Sequence, residues 1–400
     1  MQEVPPSIPI SKAEIITNVL GQKVRHYEWG NYRKRLALRK EFTKDTDLNG
    51  KTVVVNHTWG LGDVLYSTPA MYGLKKKFPK CTIVYICRYP DILKGNPYID
   101  RVLHFLDYDA TEDMFDSMTE DWYWLNYDVP LKGGLDYKIH LRTKPQLNEF
   151  MVSLLRKNPS ELNADEQDFV KQASHSVIQR YKHIALDMYC QHAHVGPEDM
   201  TREERTVYYY PTEQELTLAD RLLTPIKNKG FKVITLLPHA STMYKDYPYW
   251  KEVVRLCSRN YFWIVLDSHV RKGEPWMGTN IANLSGAFSL RESAAMVIQS
   301  HLNCSSDTGL LYAKASRGGK CLVTYGPHEW EPFLHYFPTA HGMRVPYVTG
   351  LLENGEKSCT TGCFIDTGSC RSAGSVPPCL AQLSPDVVAS KITELLESNS

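Results

Sequence analysis

The chain is 400 residues long, with 42% hydrophobic and 23% charged residues and a formal net charge of +1. That length accommodates two ordinary domains with a core each, and the near-neutral balance excludes a general electrostatic pull toward nucleic acid or an anionic membrane. No apolar run reaches the roughly 20 residues that span a bilayer. The opening MQEVPPSIPI lacks the basic head and apolar core of a secretory signal, so a cytoplasmic protein with no transmembrane segment is expected.

Residues 1–50 read as an N-terminal extension, with basic clusters such as NYRKRLALRK and no clear period. Ordered patterning begins at KTVVVNHT, a β-branched run that predicts a buried strand. Gly60 and Gly62 then turn the chain into one predicted helix, DVLYSTPAMYGLKKKFP, whose closing lysines suit the helix dipole. CTIVYICR and DRVLHF are the next strands. Strands alternating with helices predict a parallel sheet covered on both faces.

From about residue 107 to 205 the pattern loosens. DYDATEDMFDSMTEDWYWLNYD is acidic and aromatic. It suits either a solvated insertion or, in DWYWLNYD, rings that stack on sugar faces or pack in a core. KIHL reads as one more strand, and NPSELNADEQDFVKQASHSVIQRYKHIALDMY as helices.

Regular order resumes at EQELTLADRLLTPIKNKG, a helix with Gly230 placed to cap it. FKVITLLP, FWIVLDS, LNCSSD and KCLVTYGP are strands. YWKEVVRLCSRN, SLRESAAMVIQS and TGLLYAKASRGG are helices. Residues 381–400 form a last helix with Ser384 as its N-cap. The whole predicts an α/β protein of two Rossmann-like domains facing across a cleft, residues 51–210 and 211–380.

Three stretches carry candidate chemistry. In NHTWGLGDVLYSTP, Gly60 and Gly62 permit positive φ and close approach of another molecule. The following helix starts at the carboxyl edge of the sheet, where open α/β sheets bind ligands. Asp63 in its first turn suits either a dipole-stabilised carboxylate or a general base. In SSDTGLLYAKAS a strand ends at Asp307, and Thr308 and Gly309 open a helix. Backbone N–H groups there, with the Thr308 hydroxyl, suit a diphosphate. Asp307 suits a sugar hydroxyl or a plain N-cap. In LLPHASTMYKDYPYW, Lys245 suits a phosphate, or is simply solvated.

Taken together, these stretches resemble glycosyltransferase family 9, the ADP-heptose heptosyltransferases. The resemblance rests on WGLGDVLYSTPAMYGLKKKFP and GNPYIDRVLHF, then on NLSGAFSLRESAAMVIQS, DTG opening a helix, and a strand ending in YGP. It covers residues 51–106 and about 230–396. It implies a GT-B fold, with the first domain holding the acceptor and the second the nucleotide sugar. By position it implies that Asp63 is the catalytic base, that Lys245 contacts the donor phosphates, that Asp307 contacts the donor sugar, and that Thr308 and Gly309 bind the diphosphate. Tyr312 stands where many members carry histidine. Such enzymes invert the anomeric centre and generally need no metal for transfer. The implied partners are a nucleotide-sugar donor, ADP-linked, and a glycan, lipid-glycan or protein acceptor. A transferase or epimerase using a UDP- or GDP-sugar, and a non-catalytic binding protein of the same fold, are the alternatives.

Of ten cysteines, Cys359, Cys363, Cys370 and Cys379 share one Gly- and Ser-rich segment. Four thiolates so placed can close on structural zinc or hold iron, or can stay free thiols. A comparable segment occurs in some members of the family, including protein heptosyltransferases that hold iron.

Overall fold

The computed structural model describes residues 15–17, 23–25, 40–57, 60–105, 107, 121–127, 184–240, 245–257, 259–267, 275–276, 278–326, 330–344 and 378–397. Two parallel sheets, of four and six strands, carry the fold, beside a two-stranded antiparallel ribbon of β1 (Ile15–Thr17) and β2 (Lys23–Arg25).

The first sheet holds β3 (Thr52–His57), β4 (Thr82–Cys87), β5 (Arg101–His104) and β6 (Trp122–Asn126) in the order β5-β4-β3-β6. Val53, Val54 and Val55 are fully buried, so both faces of β3 are covered, as parallel sheets require. The tract WYWLN is strand β6, in register with β3 through Thr52 and Trp122. Tyr123, Trp124 and Leu125 are buried, which makes these rings core and removes them as a sugar-stacking platform. Backbone N–H of Trp124 donates to Lys40 O at 2.8 Å, and Phe42 and Leu48 are buried. Residues 40–50 therefore pack with the first domain, and the extension is shorter than the sequence suggests. The predicted strand KIHL, and all of the predicted helical stretch before Ile184, lie outside the described residues.

The helix predicted after Gly62 is two helices, α1 (Leu61–Tyr66) and α2 (Thr68–Lys77). Pro69 causes the break. It has no N–H, and its ring conflicts with the carbonyl four residues back. The carbonyl that loses its donor, Leu65 O, accepts from Thr68 Oγ1 at 2.7 Å, and Ser67 Oγ donates to Val64 O at 2.8 Å. The short α3 (Pro90–Leu93) and α4 (Ala185–His192) complete the described part of this domain.

The second sheet holds β7 (Lys232–Leu237), β8 (Tyr261–Val265), β9 (Ile281–Asn283), β10 (Leu302–Ser306), β11 (Cys321–Thr324) and β12 (Ala340–Met343), in the order β12-β11-β10-β7-β8-β9. Counted within the domain this is 6-5-4-1-2-3, the doubly wound arrangement, whose direction reverses between β7 and β10. Capping boxes start α5 (Glu213–Lys227), through Thr212 and Glu215, and a later helix, Leu290–Gln299, through Ser289 and Glu292. Gly230, at φ +86°, turns the chain after α5 as expected. The terminal helix Pro385–Glu397, capped by Ser384 Oγ, packs on the helix Trp250–Leu256.

The chain crosses between the domains along Tyr208–Tyr210. Tyr208 stacks on Tyr72 at 4.8 Å, and its N–H donates to Thr68 Oγ1 at 2.9 Å. Tyr209 donates to Arg291 O at 3.4 Å. Arg291 is buried at the crossing and spends its N–H groups on both domains. Glu215 takes bonds from Nε (2.6 Å) and Nη2 (2.9 Å), and Tyr210 O takes one from Nη2 (2.7 Å). Asp91 O and Lys94 O, in the first domain, each take one from Nη1 at 2.9 Å. Behind the cleft the domains share apolar core. Tyr66 and Tyr312 lie with ring centroids 4.5 Å apart, and the Tyr66 hydroxyl donates to Phe333 O at 2.5 Å.

Candidate active site between the two sheets

Parallel strands end together, so loops that follow neighbouring strands share one edge of a sheet. In the first sheet the reversal falls between β3 and β6, and the chain after β3 delivers Gly60, Gly62 and Asp63 to that point. In the second, the chain after β7 delivers Lys245 and the end of β10 delivers Asp307. These two residues, 62 apart in sequence, form an ion pair at 2.8 Å. Both side chains keep less than a fifth of their surface exposed, so the pair is screened less than a surface bridge. After the adjacent strands β7 and β8, His239 Nδ1 bonds the Asp267 carboxylate. Thr308 follows Asp307 and is half-buried.

The glycines act through closeness. Gly60 has φ −63°, and neither Gly62 nor Gly309 is in the left-handed region, so conformational freedom is not what these positions need. Gly309 faces Gly62 backbone to backbone. A Cβ on Gly309 would lie 2.4 Å from Gly62 N and 2.9 Å from both Gly62 Cα and Leu61 C. The regular helix here, Leu311–Ala315, begins two residues beyond Gly309. The space beside Gly309 is thus filled by the first turn of α1 in the other domain, and this contact joins the Asp63 and Asp307 halves of the site.

The contact is asymmetric. A Cβ on Gly62 would lie 3.4 Å from Gly309 Cα and 3.4 Å from Tyr312 Cε2, which is ordinary van der Waals distance. Gly309→Ala should therefore lose about 1–3 kcal/mol by overpacking against unyielding backbone, and Gly62→Ala only a small fraction of that. Urea melts of the two variants test this. Equal losses would overturn the assignment of the contact.

Asp63 is half-buried in the first turn of α1. The Tyr189 hydroxyl, on α4, donates to its Oδ1 at 2.9 Å. Its Oδ2 lies 3.1 Å from where a Cβ on Gly60 would sit. Beneath this pair is an aromatic layer, with His57 5.1 Å from Tyr127 and 5.2 Å from Tyr189 between ring centroids. His57 Nδ1 bonds Tyr85 Oη at 2.8 Å, and Tyr85 Oη bonds Ser67 Oγ at 2.5 Å. Ser67 spends its own proton on Val64 O, so the donor count puts Tyr85's proton on Ser67 and makes His57 Nδ1 the donor. Its Nε2 has no partner among the described residues.

Burial, with His192 nearby, pushes His57 down to about 3, and burial, with His194 nearby, pushes His192 down to about 4. Both stay neutral in the fold while the unfolded chain takes up protons below about pH 6.5. The unfolded state then binds more protons than the native, so stability falls as pH drops from about 6.5 toward 4 and continues to fall toward 3 through His57. Each histidine contributes a slope of up to about 1.4 kcal/mol per pH unit. His57→Phe should flatten this part of the profile. An unchanged slope in chemical denaturation from pH 7 to 4 would count against it.

Burial also pushes the hydroxyls of Tyr66, Tyr312 and Tyr325 far up, with Asp307 adding to it in all three. They are neutral hydroxyls at any ordinary pH. Tyr312 fills the space against Gly62 and packs on Tyr66. Of the cysteine segment, Cys379 is on the short helix Pro378–Ala381, and Cys359, Cys363 and Cys370 lie outside the described residues. Among the described residues no three His, Cys, Asp or Glu side chains converge as a metal site, and no helix is long and apolar enough to cross a membrane.

Two doubly wound parallel sheets with their carboxyl edges meeting across a shared cleft define the GT-B arrangement of glycosyltransferases. Solved structures of that kind superpose on this chain. E. coli ADP-heptose LPS heptosyltransferase II covers 86% of this chain and 98% of its own, with TM-score 0.53 and 14% identity. A glycosyl transferase of family 9 from Veillonella parvula covers 75% of this chain and 87% of its own, with TM-score 0.51 and 16% identity. The iron-containing dodecameric glycosyltransferase TibC from enterotoxigenic E. coli covers 90% of this chain and 78% of its own, with TM-score 0.52 and 11% identity. No protein-family model and no curated protein matches the sequence.

Proposed function

We propose that the chain is an inverting glycosyltransferase that moves heptose from an ADP-linked donor to a hydroxyl of a glycan, lipid-glycan or protein, and that it works in the cytoplasm. The observation that carries this reading is the meeting of two half-sites. The first turn of α1, which carries Asp63 at the reversal point of one sheet, meets through Gly62 the residue Gly309, two positions after the Lys245-paired Asp307 at the reversal point of the other.

In this reading Asp63 takes the proton of the acceptor hydroxyl as its oxygen attacks the anomeric carbon. The bond to the donor phosphate breaks on the opposite face, and the nucleoside diphosphate leaves with the electron pair. Lys245 and the backbone N–H groups around Thr308 and Gly309 meet the charge that develops there. Without donor, Lys245 is neutralised by Asp307. Donor binding exchanges that partner for phosphate and frees Asp307 to accept from a sugar hydroxyl.

That exchange has a sharp consequence for ADP, which has phosphates but no sugar to be held by Asp307. Asp307→Asn should bind ADP several-fold to about tenfold more tightly than the unaltered chain, since the competing carboxylate is gone. Lys245→Ala should bind it about tenfold more weakly. Calorimetric titration with ADP, UDP and GDP tests both variants and the reading itself. Selective ADP binding with these opposite effects supports it. Selective UDP or GDP binding overturns the ADP-heptose assignment, and binding of none of the three favours a non-catalytic protein of this fold.

A further inference from the structure

The helix α4 brings together two contacts that the sequence keeps far apart. Tyr189 donates to Asp63 Oδ1 at 2.9 Å across 126 residues of chain. Two residues earlier on the same helix, Asp187 accepts from the Tyr336 hydroxyl at 2.9 and 3.0 Å and from Arg205 at 3.2 Å, and Tyr336 belongs to the second domain. The Tyr189 ring is clamped by His57 and, edge-on, by Tyr127 at 5.1 Å. The Tyr127 hydroxyl donates to Tyr189 O at 3.0 Å, which fixes the backbone as well. A tyrosine held by rings, by its own carbonyl and by a helix bolted to the opposite domain has little freedom to turn its hydroxyl away.

A carboxylate acting as a base needs one oxygen aimed at the acceptor and the other prevented from competing for it. Here Oδ1 is taken and Oδ2 lies against Gly60, 3.1 Å from where a Cβ would sit, so the absent side chain leaves that oxygen uncrowded on this side. We propose that Tyr189 is a positioning residue for Asp63, holding Oδ1 so that Oδ2 receives the acceptor proton. This rests on the transferase reading given above. In the step itself the acceptor O–H bond breaks with its proton going to Oδ2. The new C–O bond forms, and the electron pair of the cleaved C–O bond leaves on the diphosphate.

The test uses the full chain with ADP-heptose as donor and water as the acceptor, following ADP release. Tyr189→Phe removes only the hydroxyl. It should lower kcat roughly tenfold to a hundredfold, the range for losing a hydrogen bond to a charged group, with KM for ADP-heptose unchanged within about twofold. Asp63→Asn should be nearly inactive, and the double variant no slower than Asp63→Asn alone, because the hydroxyl acts only through that carboxylate. Tyr72→Phe removes a hydroxyl that donates to Glu204 and touches neither Asp63 nor Tyr189, and should leave kcat unchanged. An inactive Asp63→Asn beside a fully active Tyr189→Phe would overturn the positioning role alone. So would equal losses in Tyr189→Phe and Tyr72→Phe, which mark a merely structural hydroxyl. Failure of the unaltered chain to release ADP would overturn the transferase reading and this proposal with it.

Discussion

Asp63→Asn should cost between about 10² and 10⁴ in sugar transfer, the range a positioned general base supplies, and leave ADP affinity nearly intact. The substitution is isosteric. The amide oxygen can still accept from Tyr189, so the side chain keeps its place against Gly60. The fold loses only a carboxylate in the first turn of α1, about 0.3–1 kcal/mol from the helix dipole. The donor half of the site, Lys245 and Asp307, sits on the other sheet and is untouched. Loss of turnover with retained ADP binding is therefore the signature of a base. Unimpaired transfer would remove Asp63 from the mechanism, and parallel loss of ADP binding would recast it as structural.

Arg291→Ala should be the most damaging stability change, about 3–5 kcal/mol, because it leaves a buried partner charge uncompensated. These five bonds match the five N–H groups a guanidinium offers. Removing it strands the Glu215 carboxylate and three backbone carbonyls at the crossing between domains. Glu215 Oε2 also accepts from Thr212 N at 2.7 Å in the capping box of α5, so the start of that helix and the docking of the first domain share one side chain. Lysine in place of Arg291 keeps the charge but not the planar fork, and should recover only part of the loss. Guanidinium melts of Arg291→Ala, Glu215→Gln and the pair measure the coupling. A loss under about 1 kcal/mol for Arg291→Ala would show that the crossing is held by other contacts.

Most of the scaffold was legible because its strands are β-branched runs bounded by glycine, proline or charge. KTVVVNHT, CTIVYICR and FKVITLLP became β3, β4 and β7. The elements that escaped lack that signal. β9 is three residues, and β12 is AHGM, without a β-branched residue. β6 was hidden because its aromatic run follows an acidic tract, and only its pairing with β3 makes it a strand. In the site, Asp307 was readable at a strand end and Lys245 in the loop after a strand, but their ion pair is set by strand order, which no local pattern records. Tyr189 lies in ALDMYCQH, a stretch with nothing to set its tyrosine apart, and is recruited from 126 residues away. The glycines were legible as positions of close approach. What approaches Gly309 is the other domain's backbone, which only the packed fold reveals.

The break at Pro69 marks a tether as well as a bend. The Thr68 hydroxyl that repairs the interrupted helix also receives the N–H of Tyr208, so the flaw in the helix is where the crossing strap is moored. Asp63 lies five residues before that mooring, about 7–8 Å at the helical rise of 1.5 Å per residue. A body turning on a hinge moves least near its axis. If the second half swings about this tether to admit a donor, the sugar-carrying side sweeps through an arc while the proton-accepting oxygen stays almost at rest. The threonine–proline pair, remote from any reacting atom, would then keep the acceptor's half of the machine still while the other half loads.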